Sequence, residues 1–160
     1  MSHNESTKAA LHKYLTKKTT VKKSSKNRKP EKEVEKACMN WFRDQSFSMN
    51  VIEASGGRNM YGAITVKSGF VDSAGCTPLG IGSFVEFKAP GRLSTLRDNQ
   101  REFLLEKINK GCFACVVDSA GSLSRLYQEW YMIYIEDKNQ SIELLLNSLP
   151  KKRVSNDKLF

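Results

Sequence analysis

The stretch GSFVEFKAPGRL, residues 82 to 93, places a glutamate and a lysine two positions apart in an otherwise apolar run. Its aromatic and β-branched residues predict a strand that ends at Pro90 and Gly91. Residues i and i+2 of a strand point to the same face, so Glu86 and Lys88 should lie side by side while Phe87 faces the other way. Spacing alone does not decide between a solvated ion pair and part of an active site.

The segments around this strand predict a small α/β domain. Apolar residues at helical spacing predict an amphipathic helix over residues 31–45, with acidic residues in its first turns. Strands are predicted at residues 49–54, within 61–77, at 84–89 and at 112–117. A helix over residues 97–110, ending at a C-capping Gly111, should join the third and fourth strands, and residues 122–134 predict a last helix or helix–strand element. This order indicates a small mixed sheet flanked by helices.

Charge divides the chain into a basic arm and a nearly neutral body. The net charge is +9, and residues 1–30 hold nine Lys or Arg residues, among them Lys22 and Lys23, against one acid. We expect a disordered arm over residues 1–30, a folded domain over 31–150 and a polar tail over 151–160. A cationic arm suits a polyanionic partner, because neutralised phosphates release counterions, although it would also serve as a solubilising leader.

The apolar segments predict neither a bilayer span nor a secretory leader, so a cytoplasmic location without membrane contact is expected. The four cysteines include a Cys-x-x-Cys pair, Cys112 and Cys115, in a segment with strand character. Strand residues three apart point to opposite faces, which is poor geometry for a shared metal. Buried free thiols are therefore predicted rather than a zinc site.

A second carboxylate, Asp72, precedes Glu86 with 13 residues between them and should lie on a neighbouring strand. Two carboxylates that converge across adjacent strands offer hard oxygen ligands for Mg²⁺ or Mn²⁺. A lysine beside them can orient or activate an attacking water. This set of groups suits the hydrolysis of a phosphodiester, which needs charge neutralisation and an activated water.

The wider pattern resembles the PD-(D/E)XK nuclease superfamily, through GFVD at residues 69–72 followed by FVEFKAP at 84–90. The continuation APGRLSTLRDNQREFLLEKINKGCFACVVDS, residues 89–119, is similar to the VRR-NUC branch, which is common in phage genomes. The segment EKEVEKACMNWF, residues 31–42, resembles the opening helix of that family. The resemblance covers residues 31–123 and implies a restriction-endonuclease-like core.

Carried onto this sequence, the resemblance implies a role for each of five residues. Asp72 and Glu86 would bind a Mg²⁺ or Mn²⁺ ion, and Lys88 would be the catalytic lysine. Gln100 would touch water or the scissile phosphate, with helix capping as its structural alternative. Glu35 would complete the metal site, and Glu31 and Glu33 compete with it because the register of that helix is open. The alternative for Glu35 is a favourable interaction with the helix dipole.

The sequence departs from the family pattern at two places. Val71 replaces a proline that usually precedes the metal-binding aspartate, and Glu53 stands where relatives often carry a lysine. Proline there would shape the backbone, so little functional loss is expected. Arg58, Lys67 and Arg92 flank the expected site and are candidate phosphate contacts.

The resemblance implies a divalent-metal-dependent DNA endonuclease, structure-selective for flap or branched DNA and acting as a homodimer. The competing hypothesis is a nucleic-acid-binding protein that keeps a nuclease fold without its activity. The basic arm suits both functions, whereas the acid–acid–lysine set favours the enzyme.

Overall fold

The computed structural model describes residues 30–52 and 70–152. This part of the chain contains four α-helices and four β-strands, with a 3₁₀ turn at Leu93–Thr95. The elements are α1 (Pro30–Asp44), β1 (Ser48–Val51), β2 (Ser73–Cys76), β3 (Gly82–Phe87), α2 (Asp98–Asn109), β4 (Phe113–Val117), α3 (Ala120–Glu136) and α4 (Lys138–Ser148). The predicted α/β class and the predicted order of the first seven elements are confirmed.

The strands form one mixed sheet in the order β1-β2-β3-β4. β1 pairs with β2 and β2 with β3 in antiparallel fashion, whereas β3 and β4 are parallel. A parallel pair needs a long crossover, and α2 supplies it, as the sequence predicted. Gly75 is required where β1 approaches β2, because a Cβ at this position would lie 1.8 Å from the carbonyl oxygen of Ser48.

Helices cover both faces of the sheet. Phe84 of β3 contacts Phe103 of α2, with their ring centroids 5.5 Å apart. On the opposite face Phe113 of β4 contacts Tyr127 and Trp130 of α3, at centroid distances of 5.3 and 5.1 Å. β4 is buried along its whole length, which is typical of a strand in a sheet covered on both sides.

The predicted apolar face of α1 packs into the core through Val34, Cys38 and Phe42, which are buried at one-turn intervals. The helix begins at Pro30, where the missing N–H of proline costs no intrahelical hydrogen bond. Val71, in the place of the family's proline, is 1% exposed and belongs to the same core. Its apolar side chain therefore has a packing role.

The crossover helix α2 ends as its sequence predicts. Gly111 adopts a φ of 84°, and its N–H donates to Ile108 O at 2.9 Å. The Cys112 N–H donates to Lys107 O at 3.0 Å, which completes a Schellman motif and satisfies carbonyls that a helix end leaves free. The motif turns the chain directly into β4.

The end of the domain contains one element beyond those predicted. The predicted helix–strand alternative for residues 122–134 resolves as a single helix, α3, and a separate helix, α4, follows it. The Asp137 carboxylate caps α4 by accepting from the N–H groups of Asn139 and Gln140. Within residues 30–52 and 70–152, every helix is too short or too polar to cross a bilayer.

Candidate metal centre

The β2–β3 hairpin brings two of the predicted ligands together. Ser73 pairs with Val85 in the antiparallel ladder, and continuing this register by one residue places Asp72 opposite Glu86. Opposite residues of an antiparallel pair have their Cβ atoms about 5 Å apart. The Asp72 Oδ2 atom accepts a hydrogen bond of 2.8 Å from the Phe87 N–H, which holds the carboxylate at the end of β3.

Glu86 lies in the interior of the molecule, with only 1% of its surface exposed. Its Oε1 accepts hydrogen bonds from Lys88 Nζ at 2.5 Å and from Gln100 Nε2 at 2.6 Å. Its Oε2 is buried and has no hydrogen-bond partner among the described residues. A buried acceptor left without a partner is costly, so a cation or a hydrogen-bond donor bound at this oxygen would be stabilised.

The surroundings of Glu86 also change its acidity. Burial is the main cause that raises the pKa of this carboxyl from 4.5 to about 7. The hydrogen bonds from Lys88 and Gln100 and the positive charge of Lys88 lower the pKa, whereas the negative charge of Asp72 raises it. Because burial disfavours the charged form, Glu86 holds its proton more tightly than a solvated glutamate. A bound cation would oppose this effect and favour the carboxylate.

A third carboxylate reaches this place from α1. Glu31, Asp72 and Glu86 each offer an oxygen atom, and these atoms lie within 4.8 Å of one another. Oxygens that share one octahedral Mg²⁺ ion are roughly 3 to 4 Å apart, so small side-chain movements would close the set on a cation. The donor set and the unpartnered Glu86 oxygen fit a hard divalent ion such as Mg²⁺ or Mn²⁺.

The helical member of the cluster is Glu31, one of the two residues that competed with Glu35. Glu35 lies one turn further along α1, about 6 Å along the axis, where it accepts a hydrogen bond of 2.7 Å from Lys32. It is not part of the carboxylate cluster. Glu33, the other competitor, is exposed. The position of α1 along the sheet therefore brings Glu31, the first glutamate of the helix, close to Asp72 and Glu86.

Lys88 directly follows β3, and its N–H donates to Val117 O at 2.9 Å, so the parallel ladder continues up to this residue. Only 7% of Lys88 is exposed. Its Nζ contacts Glu86 at 2.5 Å and lies 4.0 Å from Glu31 Oε1. The predicted side-by-side arrangement of Glu86 and Lys88 is confirmed, and the pair is buried rather than solvated.

Gln100 in the first turn of α2 has the capping role predicted as its structural alternative, and it also contacts the Glu86–Lys88 pair. Its Oε1 accepts from the Arg97 N–H at 3.3 Å, which caps the helix, and lies 3.4 Å from Lys88 Nζ. Its Nε2 donates to Glu86. Gln100 thus positions both members of the Glu86–Lys88 pair, and its polar atoms are engaged with protein groups.

The Pro-Gly turn after Lys88 is held in place by hydrogen bonding to Asp118, which directly follows β4. Asp118 accepts from the Gly91 N–H at 3.0 Å and from the Ser122 hydroxyl at 3.2 Å. The Ser119 hydroxyl accepts from the Ser122 N–H at 3.0 Å and caps α3. The Asp-Ser pair that ended the family-like pattern therefore links the turn at Lys88 to the start of a helix, a role that sequence reasoning did not assign.

Of the other predicted site residues, only Arg92 lies in the part of the chain that the structure describes. Arg92 is exposed on the turn beyond Lys88. The predicted phosphate contacts Lys22, Lys23, Arg58 and Lys67, together with Glu53, lie outside the described residues. All four cysteines are free thiols, as expected, but only Cys38 and Cys115 are buried, whereas Cys76 is exposed.

Comparison with known proteins does not assign the chain to a family. No protein-family model, curated protein or solved structure matches the chain. The resemblance to the VRR-NUC branch therefore stays a prediction, and the functional argument depends on the arrangement of Glu31, Asp72, Glu86, Lys88 and Gln100.

Proposed function

We propose that the protein is a divalent-metal-dependent nuclease that hydrolyses phosphodiester bonds in DNA. The observation that carries the proposal is the buried Glu86 carboxylate, one oxygen of which has no hydrogen-bond partner among the described residues, together with nearby carboxylate oxygens of Asp72 and Glu31 and a buried lysine. Three carboxylates against one lysine leave an excess of negative charge, which a divalent cation would balance. The separation of these residues along the chain makes a purely local ion pair a poor explanation.

Each residue has a distinct part in the proposed reaction. Glu31, Asp72 and Glu86 would hold the Mg²⁺ or Mn²⁺ ion, which when bound supplies charge stabilisation and lowers the pKa of a water. The Lys88 ammonium, held by Glu86 and Gln100, would orient the attacking water against the phosphorus atom. Gln100 is a positioning residue, because it fixes the Glu86 carboxylate and the Lys88 side chain in one arrangement.

The proposed substrate class is flap or branched DNA, and a homodimer is proposed as the active form. Both follow from the resemblance of residues 31–123 to the VRR-NUC branch. The strongly basic sequence of residues 1–30 supports a nucleic-acid substrate, because its lysines and arginines can neutralise phosphates.

The test is cleavage of labelled single-stranded, duplex, flap and four-way DNA in the presence of Mg²⁺ or Mn²⁺. Asp72→Asn and Lys88→Met should each lower the rate at least about 100-fold, since each removes a group of the reacting centre. Glu129→Gln, which neutralises an exposed glutamate on α3, is the matched control and should cleave like the wild type. Full activity of both site variants would refute the assignment.

A second comparison tests the register of α1. Glu31→Gln should weaken cleavage and reduce the rise in melting temperature that Mg²⁺ produces, because ligand binding stabilises the folded state. Glu35→Gln should change both quantities much less. The opposite order would show that Glu35 is the ligand, whereas wild-type binding to DNA without cleavage under any metal would favour the non-catalytic alternative.

A further inference from the structure

A cleft of about 450 Å³ lies at the N-terminal end of α2, the helix that carries Gln100 of the candidate metal centre. Its walls are the 3₁₀ turn, the first residues of α2 and the segment that follows α4. The charged residues that line it are Arg97, Asp98, Arg101, Lys151 and Lys152. None of its four cations was among the phosphate contacts predicted from the sequence.

The cleft is strongly positive. Four of its five charged lining residues are cations, and the acid, Asp98, lies 3.8 Å from Lys152 Nζ. Both partners of this contact are exposed, so it is weak, and within residues 30–52 and 70–152 Arg97, Arg101 and Lys151 form no ion pair. Like charges around one concave surface raise its potential and attract an anion into it. The positive end of the α2 dipole acts in the same direction.

The position of the cleft connects it to the metal centre. The Arg97 N–H donates to Gln100 Oε1 at 3.3 Å, and the Gln100 Nε2 donates to Glu86 Oε1 at 2.6 Å. A hydrogen-bonded path through the Gln100 side chain therefore links the backbone of Arg97, which lines the cleft, to the carboxylate cluster. Arg97 and Arg101 are one helical turn apart, about 6 Å along the axis of α2. An elongated polyanion that lay at the carboxylates and extended along α2 would meet these two positive charges.

We propose that this cleft binds phosphate groups of the nucleic-acid strand on one side of the phosphodiester at the carboxylate cluster. The inference rests on the proposed function for the identity of the strand, but phosphate binding here requires no cleavage. Arginine suits this role, because its guanidinium pairs with two phosphate oxygens at once. A free phosphate anion presents the same oxygens, and the experiment distinguishes the two sources.

The test uses the full chain with EDTA present, so that binding is measured apart from cleavage. Fluorescence anisotropy of a labelled single-stranded oligonucleotide gives the affinity at several salt concentrations. Each lost phosphate contact reduces the slope of log affinity against log salt by about 0.7, so Arg97→Gln/Arg101→Gln should reduce it by about 1.4. At about 0.1 M salt the same change corresponds to roughly a 25-fold weaker affinity.

The matched control is Arg125→Gln/Lys138→Gln. It removes one positive charge from α3 and one from the first residue of α4, whereas the cleft lies beyond the last residue of α4. It should bind with nearly the wild-type affinity and salt slope. Because Arg97 is the N-cap of α2, Arg101→Gln/Lys151→Gln provides a second cleft variant that leaves the cap unchanged. Thermal melting followed by circular dichroism verifies that each variant is folded.

Several outcomes would overturn the proposal. Cleft variants that bind the oligonucleotide like the wild type would do so, as would a control double variant that loses as much affinity as the cleft variants. Calorimetric binding of inorganic phosphate that the cleft variants abolish, with DNA affinity unchanged, would assign the cleft to a free anion.

The proposed nuclease activity is judged separately by cleavage with Mg²⁺. A wild-type protein that never cleaves, but whose DNA binding depends on the cleft arginines, would remove the enzymatic proposal and support the cleft. Normal cleavage by the wild type, together with unaltered DNA binding by the cleft variants, would support the nuclease proposal and refute the cleft proposal.

Discussion

Neutralising Glu86 should make the folded protein more stable at pH 8 while it removes a proposed metal ligand. In Glu86→Gln the side-chain oxygen can still accept from Lys88 and Gln100, and an amide group takes the place of the unpartnered Oε2. The cluster then holds two carboxylates against one lysine instead of three. The substitution thus relieves charge repulsion and burial of a charge at once.

The magnitude follows from the acidity of Glu86. A pKa raised from 4.5 to about 7 corresponds to roughly 3 kcal/mol of lost stability once the carboxyl is ionised, at 1.36 kcal/mol for each pKa unit. The amide N–H groups of glutamine, buried where Oε2 has no partner, would offset about 1 kcal/mol, whereas the contribution of Lys88 is already included in the net pKa. We therefore expect Glu86→Gln to be about 2 kcal/mol more stable than the wild type at pH 8 without divalent ions.

The effect has a defined pH window. Between pH 4.5 and about 7 the unfolded chain has released the Glu86 proton while the folded protein keeps it, so the stability of the wild type falls as pH rises. The advantage of the variant should therefore be largest above pH 7 and should diminish towards pH 4.5. Comparing variant with wild type cancels the titration of the other carboxylates.

Urea denaturation of both proteins at pH 5 and pH 8, in EDTA and again in Mg²⁺, measures these quantities. Magnesium should stabilise the wild type and leave the variant nearly unchanged, which separates the ligand role from the charge burial. A variant less stable than the wild type at pH 8 in EDTA would refute the reasoning, because the Lys88 pair would then outweigh the cost of the buried charge.

Three further predictions concern the framework of the site. Gly75→Ala should destabilise the fold by about 2–4 kcal/mol in urea denaturation, because its Cβ would meet the backbone of β1 at 1.8 Å. In the control Gly121→Ala the Cβ meets only one atom, at 4.0 Å, so this variant should be neutral or stabilised by up to about 1 kcal/mol. An equal loss of stability in both variants would contradict the close approach of β1 to Gly75. Asp118→Ala removes the acceptor of two hydrogen bonds and should cost about 1–3 kcal/mol by the same measurement, whereas a cost below about 0.5 kcal/mol would show that the turn needs no such fastening. Burial raises the pKa of the Cys38 thiol to about 12, so alkylation mapped by mass spectrometry should modify the exposed Cys76 long before Cys38 in the folded protein, and similar rates for both would be inconsistent with this burial.

Local periodicity carried much of the fold. The helical spacing of Val34, Ala37, Cys38, Trp41 and Phe42 predicted the apolar face of α1. Val34, Cys38 and Phe42 are buried in the structure, whereas Trp41 is half-buried and Ala37 is exposed. The side-by-side arrangement of Glu86 and Lys88 followed from strand alternation alone. Such features depend on residues close in sequence, where backbone geometry leaves few choices.

The parts that were not predicted depend on packing between distant elements. Glu31 and Glu35 lie one turn apart on α1, and only the offset of the helix along the sheet decides which one meets Asp72. No local pattern encodes this offset. By contrast, α4 had a usable signal, since Ile142, Leu145 and Leu149 recur at helical spacing, but consecutive leucines beside them obscure the polar face.

The hairpin that carries Asp72 and Glu86 determines which changes in chain length the site can tolerate. Its loop is closed by the Thr77 N–H, which donates to Ile81 O, and by the Gly80 N–H, which donates to Thr77 O. A residue inserted at positions 78–80 would enlarge the loop outside the ladder and leave the two carboxylates opposite each other. A residue inserted between Asp72 and Ser73 would turn the Asp72 side chain to the other face of the sheet, because strand side chains alternate with a period of two. For this site, a one-residue insertion is therefore tolerated in the hairpin loop but not in the paired strand next to a carboxylate.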